Sequence, residues 1–308
     1  MKLTVAVCTW NRAPLLERTL ASLFAMQRPR AEWELIVVDN NSTDDTPATL
    51  ARWTTRLPLR VVTERKQGLS HARNAAIDAA SGDYILWTDD DVQVSDRWLL
   101  AYERAIERHP AVAIFGGPIR PWFEHEPPAW LRAWMPEVES AYACRDFGSQ
   151  ERPLHPTECI PFGANFALRM AEQRSHRFDP GLGRVKEGGT LGEETTVIRA
   201  LLREGQTGFW VPDAPIQHWV PAERMSLGYL GTYYRMYGKT LVQWGQRPAG
   251  RALAGVPLWL WRKQAARWWR YRRLRATQPN SRACAVAFID WNETMGVMEA
   301  LRTQAPQR

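Results

Sequence analysis

Gly82-Asp83-Tyr84-Ile85-Leu86-Trp87-Thr88-Asp89-Asp90-Asp91 closes a short apolar run with three consecutive carboxylates. The run from Tyr84 to Thr88 reads as a buried strand. Three carboxylates at its C-terminal end repel one another unless a cation sits among them. In an open α/β sheet, ligands bind at the carboxyl ends of the strands. A hard divalent ion with a phosphate-bearing ligand satisfies both conditions. A solvated acidic turn, or an N-cap ahead of Trp98-Leu99-Leu100, is the other reading of an acidic triplet.

Outward from this strand, residues 1–116 alternate between the two periodicities. Strands are expected at Leu3 to Cys8, Leu35 to Val38, Leu59 to Thr63, Tyr84 to Thr88 and Ala111 to Phe115. Helices are expected at Pro14 to Met26, Asp45 to Leu57, Leu69 to Ala80 and Ser95 to His109. Pro14 stands in a first turn, and Ser81-Gly82 stops the third helix. This rhythm specifies an α/β fold with a mainly parallel sheet and helices on both faces. From Pro118 it breaks: residues 118–160 read as loops and short helices. A helix follows within 192–205, then short strands at Phe209 to Pro212 and Ala214 to Trp219, and an aromatic helix at Met225 to Gly245.

The chain has 308 residues, enough for one or two domains, with a net charge of +7. The charge is local. Residues 251–282 hold nine Lys or Arg and no acid, leaving 31 of the 40 basic residues against 33 acidic ones. A chain-wide nucleic-acid footprint is therefore not expected. Cys8, Cys144, Cys159 and Cys284 are scattered without metal or redox spacing, which fits a reduced, cytoplasmic setting. No stretch approaches the roughly 20 apolar residues of a membrane span, and the first residues lack signal-peptide architecture.

Three further clusters follow a strand or open a helix: Cys8-Thr9-Trp10-Asn11-Arg12, Asp39-Asn40-Asn41-Ser42-Thr43-Asp44, and Gly68-Leu69-Ser70-His71-Ala72-Arg73-Asn74. Singly, Thr9, Ser42 and Asp44 read as helix caps and Arg73 as a surface ion pair. Together on one sheet edge with the triplet, they point to a shared ligand.

The stretches VAVCTWNRAPLLERTLASL, ELIVVDNNSTDDT and GLSHARNAAIDAASGDYILWTDDD, with PFGANFALR and GEETTVIRALL more weakly, resemble family 2 glycosyltransferases over roughly residues 3–220. The resemblance implies a GT-A fold, with a catalytic domain over 1–220 divided into a nucleotide-binding half (1–117) and an acceptor and catalytic half (118–220). A C-terminal helical region would follow over 221–308. It implies inverting transfer of a sugar from a nucleoside-diphosphate-sugar, a UDP-sugar first among the donors, to a hydroxyl acceptor. Asp39 is expected on the nucleotide base; Thr9, Asn11 and Arg12 on the base and ribose pocket; Arg73, Asp89 and Arg224 elsewhere on the nucleotide. The family's DXD motif maps onto Asp89 and Asp91. Asp91 is the first choice for Mg²⁺ or Mn²⁺, with Asp89 and His218 as further metal ligands. Asp90, Gly163 and Asn165 are expected at the donor sugar or acceptor. The family's base is the second acid of a pair opening a helix; here the pair is Glu193-Glu194, with Glu194 preferred.

Trp122, Trp130 and Trp134 stand where acceptors bind in that family, as sugar platforms or as core. Within Val256 to Arg275, at ~100° per residue, Leu258, Trp261, Ala265, Trp268 and Trp269 share one face beside Arg262, Lys263, Arg267, Arg270 and Arg273. This segment fits a helix on an anionic membrane surface, one packed on the catalytic domain, or a local nucleic-acid patch. The first alternative would set the protein on the inner face of the cell membrane, facing a lipid-linked or cell-envelope glycan. A nucleotidyltransferase and a non-catalytic glycan-binding protein are the competing functions. The first lacks support because the loop after strand one has no glycine.

Overall fold

The computed structural model describes residues 1–181, 192–246 and 248–303. The elements run in chain order as β1 (Lys2–Thr9), α1 (Ala13–Ala25), β2 (Glu32–Asp39), α2 (Thr46–Trp53), β3 (Leu59–Thr63), α3 (Leu69–Ala79), β4 (Tyr84–Asp89), β5 (Val92–Val94), α4 (Trp98–Arg108), β6 (Ile114–Gly116), β7 (Ile119–Phe123), α5 (Ala129–Val138), β8 (Arg152–Pro153), β9 (Asn165–Arg169), α6 (Met170–Ser175), α7 (Glu193–Arg203), β10 (Gly208–Trp210), β11 (Ile216–Val220), α8 (Leu227–Gln243), β12 (Ala252–Leu253), β13 (Val256–Pro257), α9 (Leu258–Thr277) and α10 (Arg282–Thr303).

The central sheet has the order β3-β2-β1-β4-β9-β6-β10-β8. Its first four strands are parallel. β9 enters antiparallel between β4 and β6, so the sheet is mixed at that point. The residues of β1 alternate between two cores, as a strand covered on both faces requires. Leu3, Val5 and Val7 pack with Leu16, Leu20, Leu50, Trp53 and Trp98, from α1, α2 and α4. Ala6 packs on the other face with Ala72, Ala76, Ile77, Val197 and Ile198, from α3 and α7. Each fully buried aliphatic side chain of this kind contributes about 1.5–3 kcal/mol.

Boundaries differ from the sequence expectation mainly at the ends. The second helix ends at Trp53 rather than Leu57, and the strand expected from Ala111 is confined to Ile114–Gly116. Six strands of the described residues were not expected: β5 (three residues long and directly after the triplet), β7, β8, β9 (within PFGANFALR), β12 and β13. β5 pairs antiparallel with β11, placing His218 opposite Val92.

Of the described residues, 1–122, 143–181 and 192–219 form one compact unit, and 123–142 with the C-terminal segment form a second. In the second unit, α8 opens on an N-cap, Ser226 accepting from the Tyr229 N–H at 3.2 Å. A Cβ built on Gly296 would lie 1.9 Å from the Arg235 carbonyl oxygen, and one on Gly238 would lie 2.1 Å from that of Glu293. Only glycines allow α8 and α10 to approach this closely. Trp134, on α5, is fully buried, 5.6 Å from the ring of Phe288, with its Nε1–H donating to the Pro279 carbonyl. It is a core residue of this unit and not a sugar platform.

Candidate active site

The parallel register brings the ends of β1, β2 and β4 level: Thr9 pairs with Asp39, and Cys8 with Asp89. The chain steps outward from β1 to β2 and β3, then returns to place β4 on the other side of β1. That reversal opens a crevice at the carboxyl ends of β1 and β4, where the triplet sits.

The loops after β1 and β2 are knotted together. Asn11, at φ 52°, accepts from the Thr43 N–H through Oδ1 at 2.7 Å, while its own N–H donates to Ser42 Oγ at 3.0 Å. Asp44 accepts from the N–H groups of both Ala13 and Thr46, at the starts of α1 and α2. Asp39 is 8% exposed, with one carboxylate oxygen taking the Ser42 N–H at 3.0 Å. Asn40, a residue assigned no role from sequence, is buried and donates to the carbonyls of Glu64 and Lys66 while accepting from the Gly68 N–H. It ties the segment before α3 to the end of β2. Its place directly after an expected nucleotide-contacting Asp was the available signal.

The three aspartates have three environments. Asp90 is buried, with one oxygen accepting from the Thr9 hydroxyl at 2.7 Å and the other from Arg12 Nη1 at 2.9 Å. Burial, opposed by Arg12, pushes Asp90 up to about 6. The Asp90 charge is also the largest influence holding Arg12 protonated. Asp90 is thus turned inward to brace the loop after β1, which corrects its expected place at the donor sugar. Thr9 also acts through Asp90, its hydroxyl already donated. Asp91 has one oxygen 2.8 Å from Arg12 Nη1 and the other 3.3 Å from His218 Nε2, and its carbonyl accepts from the Trp219 N–H. Asp89, the most open of the three, is raised by burial and then by the Asp91 charge.

Asp89, Asp91 and His218 each offer a ligand atom within 4.8 Å of the other two. Two carboxylates and an imidazole form a donor set suited to Mn²⁺ or Mg²⁺. The electrostatics agree: Asp89 is held above its ordinary range by burial and then by the Asp91 charge, a crowding that a cation relieves. His218 reaches this position through the β5–β11 pairing. Its Nδ1 is buried without a hydrogen bond among the described residues.

Arg73 is the hub on the other side. It is 3% exposed, with Nη1 3.0 Å from Glu193 and 3.8 Å from Glu194, and Nη2 3.9 Å from Asp89. The rings of Phe178 and Trp87 lie 5.1 and 5.9 Å from its guanidinium carbon. This interior position differs from the surface ion pair considered from sequence. Glu193 and Glu194 open α7 directly after Gly192, whose φ is 91°. Burial, and then the Glu193 charge, push Glu194 up to about 7. Cys8 is pushed up to about 12, chiefly by burial, so its thiol stays protonated and is no nucleophile.

Gly163 faces this hub. A Cβ there would lie 2.7 Å from Arg73 Nη2 and 3.3 Å from Glu194 Cδ. Asn165 does not face a sugar. It is fully buried, accepting from Trp98 Nε1–H and the Tyr102 hydroxyl and donating to the carbonyls of Pro118 and Ala214. All four hydrogen-bonding positions of its carboxamide are used, because β9 lies inside the sheet. Arg224 belongs to the second unit, where its guanidinium lies 5.9 Å from the Tyr229 ring centre.

A family model described as Glycosyl transferase family 2 matches residues 4–167. The succinoglycan biosynthesis protein ExoM of Rhizobium meliloti is 28% identical over 255 residues, which are 78% of this chain and 74% of that protein. The poly(ribitol-phosphate) beta-N-acetylglucosaminyltransferase TarS of Staphylococcus aureus is 31% identical over 111 residues, 35% of this chain and 19% of TarS. The mannosyltransferase PcManGT from Pyrobaculum calidifontis, solved in complex with GDP-Man and Mn²⁺, aligns at TM-score 0.65 and 19% identity over 98% of this chain and 87% of that one. The structure of S. aureus TarS 1-349 in complex with UDP-GlcNAc aligns at TM-score 0.54 and 16% identity, over 100% of this chain and 93% of that one. The shared architecture is the GT-A fold.

Proposed function

This chain belongs to glycosyl transferase family 2 and is a glycosyltransferase, and we propose that it transfers a sugar, with inversion, from a nucleoside diphosphate to a hydroxyl acceptor. The observation that carries this is the pairing of two sites around Arg73: the aspartates at the end of β4, reached through Asp89, and Glu194 held near 7 at the start of α7. A general base works best with a pKa near the operating pH.

In this reading Asp39 accepts a hydrogen bond from the nucleotide base. The loop from Thr9 to Arg12, braced by Asp90, walls the base and ribose. Asp89, Asp91 and His218 hold a divalent cation. When bound, that cation offsets the negative charge developing on the nucleoside diphosphate as it leaves. Arg73 fixes Glu193 and Glu194 relative to Asp89. Glu194 takes the proton of the attacking hydroxyl, while Glu193, committed to Arg73 at 3.0 Å, keeps the Glu194 carboxyl raised. Gly163 leaves room for the donor sugar beside that carboxylate.

The acceptor proposed is a cell-envelope or lipid-linked glycan, met at the cytoplasmic face of a membrane. The names of ExoM and TarS support the envelope part of this reading. A UDP-sugar is the first donor to test. Purified protein is incubated with UDP-, GDP- and dTDP-sugars, Mn²⁺ or Mg²⁺, and a panel of glycan and polyprenyl-linked acceptors, and the anomeric configuration of the product is read by NMR. Metal-dependent formation of an inverted product supports the proposal. A retained configuration, or turnover indifferent to chelator, refutes it.

A further inference from the structure

Seven large apolar side chains stand exposed among the described residues, and four of them lie in one stretch: Leu253, Leu258, Trp259 and Trp269, at 61, 45, 44 and 66%. Leu253 belongs to the β12–β13 hairpin, whose turn residues Ala254 and Gly255 both have positive φ. The hairpin is tied to the start of α9 by the Leu258 N–H donating to the Arg251 carbonyl.

α9 is already partnered along its other side. Leu260, Tyr271 and Leu274 are buried there. Tyr271 stacks on Trp291 at 5.4 Å, and Leu260 clusters with Val256 and Met298. The sequence reading had placed Trp261 and Trp268 on one apolar face with Leu258 and Trp269. In the structure the first two are half-buried and the last two exposed.

The outward side is of mixed chemistry. At 100° per residue, Leu258, Arg262, Ala266, Trp269 and Arg273 fall within an arc of roughly 80°, flanked by Trp259, Lys263 and Arg270. The cations Arg262, Lys263, Arg270, Arg272 and Arg273 are all exposed. Among the described residues only Arg270 of these lies within 4 Å of a carboxylate, Asp290 at 3.7 Å, and Lys263 acts on Glu293 from farther off. A solvated charged face has no use for two exposed indoles, and a protein core does not accept this many cations. Indoles among Lys and Arg suit the headgroup layer of a bilayer, where the rings enter the interface and the cations meet anionic lipid.

We propose that the outward face of α9, with Leu253 at the hairpin, docks on an anionic phospholipid surface. The contact is independent of the transfer reaction proposed above, so failure of either leaves the other standing. The test is flotation of the full chain with vesicles of phosphatidylcholine containing about a third phosphatidylglycerol, against phosphatidylcholine alone. Binding to the anionic vesicles, weakening as salt rises, is expected. The exposed double variant Arg262→Glu/Arg273→Glu should bind at least about thirty-fold more weakly, the effect of losing two surface cations. Arg104→Glu/Arg203→Glu, matched in charge change but on the first unit, should bind as the wild type does. Equal binding by the α9 variant and this control would overturn the proposal, as would no preference for anionic vesicles, or retention of a duplex oligonucleotide without vesicle binding.

Discussion

Replacing Glu193 by Gln separates the roles of the two carboxylates that open α7. In the wild type Arg73 Nη1 is shared between Glu193 at 3.0 Å and Glu194 at 3.8 Å. Glu194 is held near 7 by burial and then by the Glu193 charge. Removing that charge takes away one upward push and releases Arg73 to neutralise Glu194, so both changes lower the Glu194 pKa. At an effective dielectric near 20, unit charges 3.8 Å apart interact by roughly 4 kcal/mol. A third of that corresponds to about one pKa unit. The carboxylate is the working form of a base, so activity is lost as pH falls through the Glu194 pKa. Glu193→Gln should therefore move the acid limb of kcat from near 7 down by about one unit and keep the plateau within about threefold. Glu194→Gln should lower the plateau by about 10²–10⁴, with little change in the KM for donor. The assay is nucleoside diphosphate release at saturating donor and Mn²⁺, from about pH 5 to 9, on variants shown by circular dichroism to be folded. An unmoved acid limb in Glu193→Gln would refute the electrostatic reasoning. Loss of turnover in Glu193→Gln with a surviving limb in Glu194→Gln would make Glu193 the base.

Three further substitutions probe the site. Gly163→Ala places a Cβ 2.7 Å from Arg73 Nη2; it should cost about 1–3 kcal/mol by overpacking and lower kcat by at least tenfold, read from denaturant melts and steady-state rates. Asn40→Ala removes the amide that tethers the segment from Glu64 to Gly68. It should raise the KM for donor more than it lowers kcat, with about 1–3 kcal/mol lost, and an unchanged KM would show that the tether does not shape the nucleotide pocket. Asn165→Ala strands the buried partners Trp98, Tyr102, Pro118 and Ala214. The expected loss is about 2–5 kcal/mol, and a selective donor KM effect without a stability change would restore a sugar-contacting role.

The first half of the sheet was legible because parallel strands buried on both faces read as apolar runs, each ending in polar residues that can only lie at one edge. Asp39 and the Asp89–Asp91 triplet follow from that pattern. β5 was not legible, because three residues carry no periodicity. β9 was not, because PFGANFALR reads equally as loop or strand until its partners β4 and β6 are known. The misplacement of Asn165 follows from the missed strand. The surroundings of Asp90 and Arg73 were not legible for a different reason. Their surroundings are set by Arg12 and Glu193, 78 and 120 residues away, and an ion pair of that separation leaves no local signal. The many tryptophans were ambiguous from composition alone. Trp87, Trp98, Trp134 and Trp210 prove to be core, whereas Trp259 and Trp269 are exposed.

Calorimetric titration of UDP, GDP and dTDP into the wild-type protein and Asp91→Ala, each with and without Mn²⁺, tests the central claim most directly. The account predicts that one of the three binds to the wild type, that Mn²⁺ tightens it at least tenfold, and that Asp91→Ala abolishes the metal dependence. Binding of none, or binding equally tight without metal and in the variant, would contradict a metal-assisted nucleotide-sugar site at the ends of these strands.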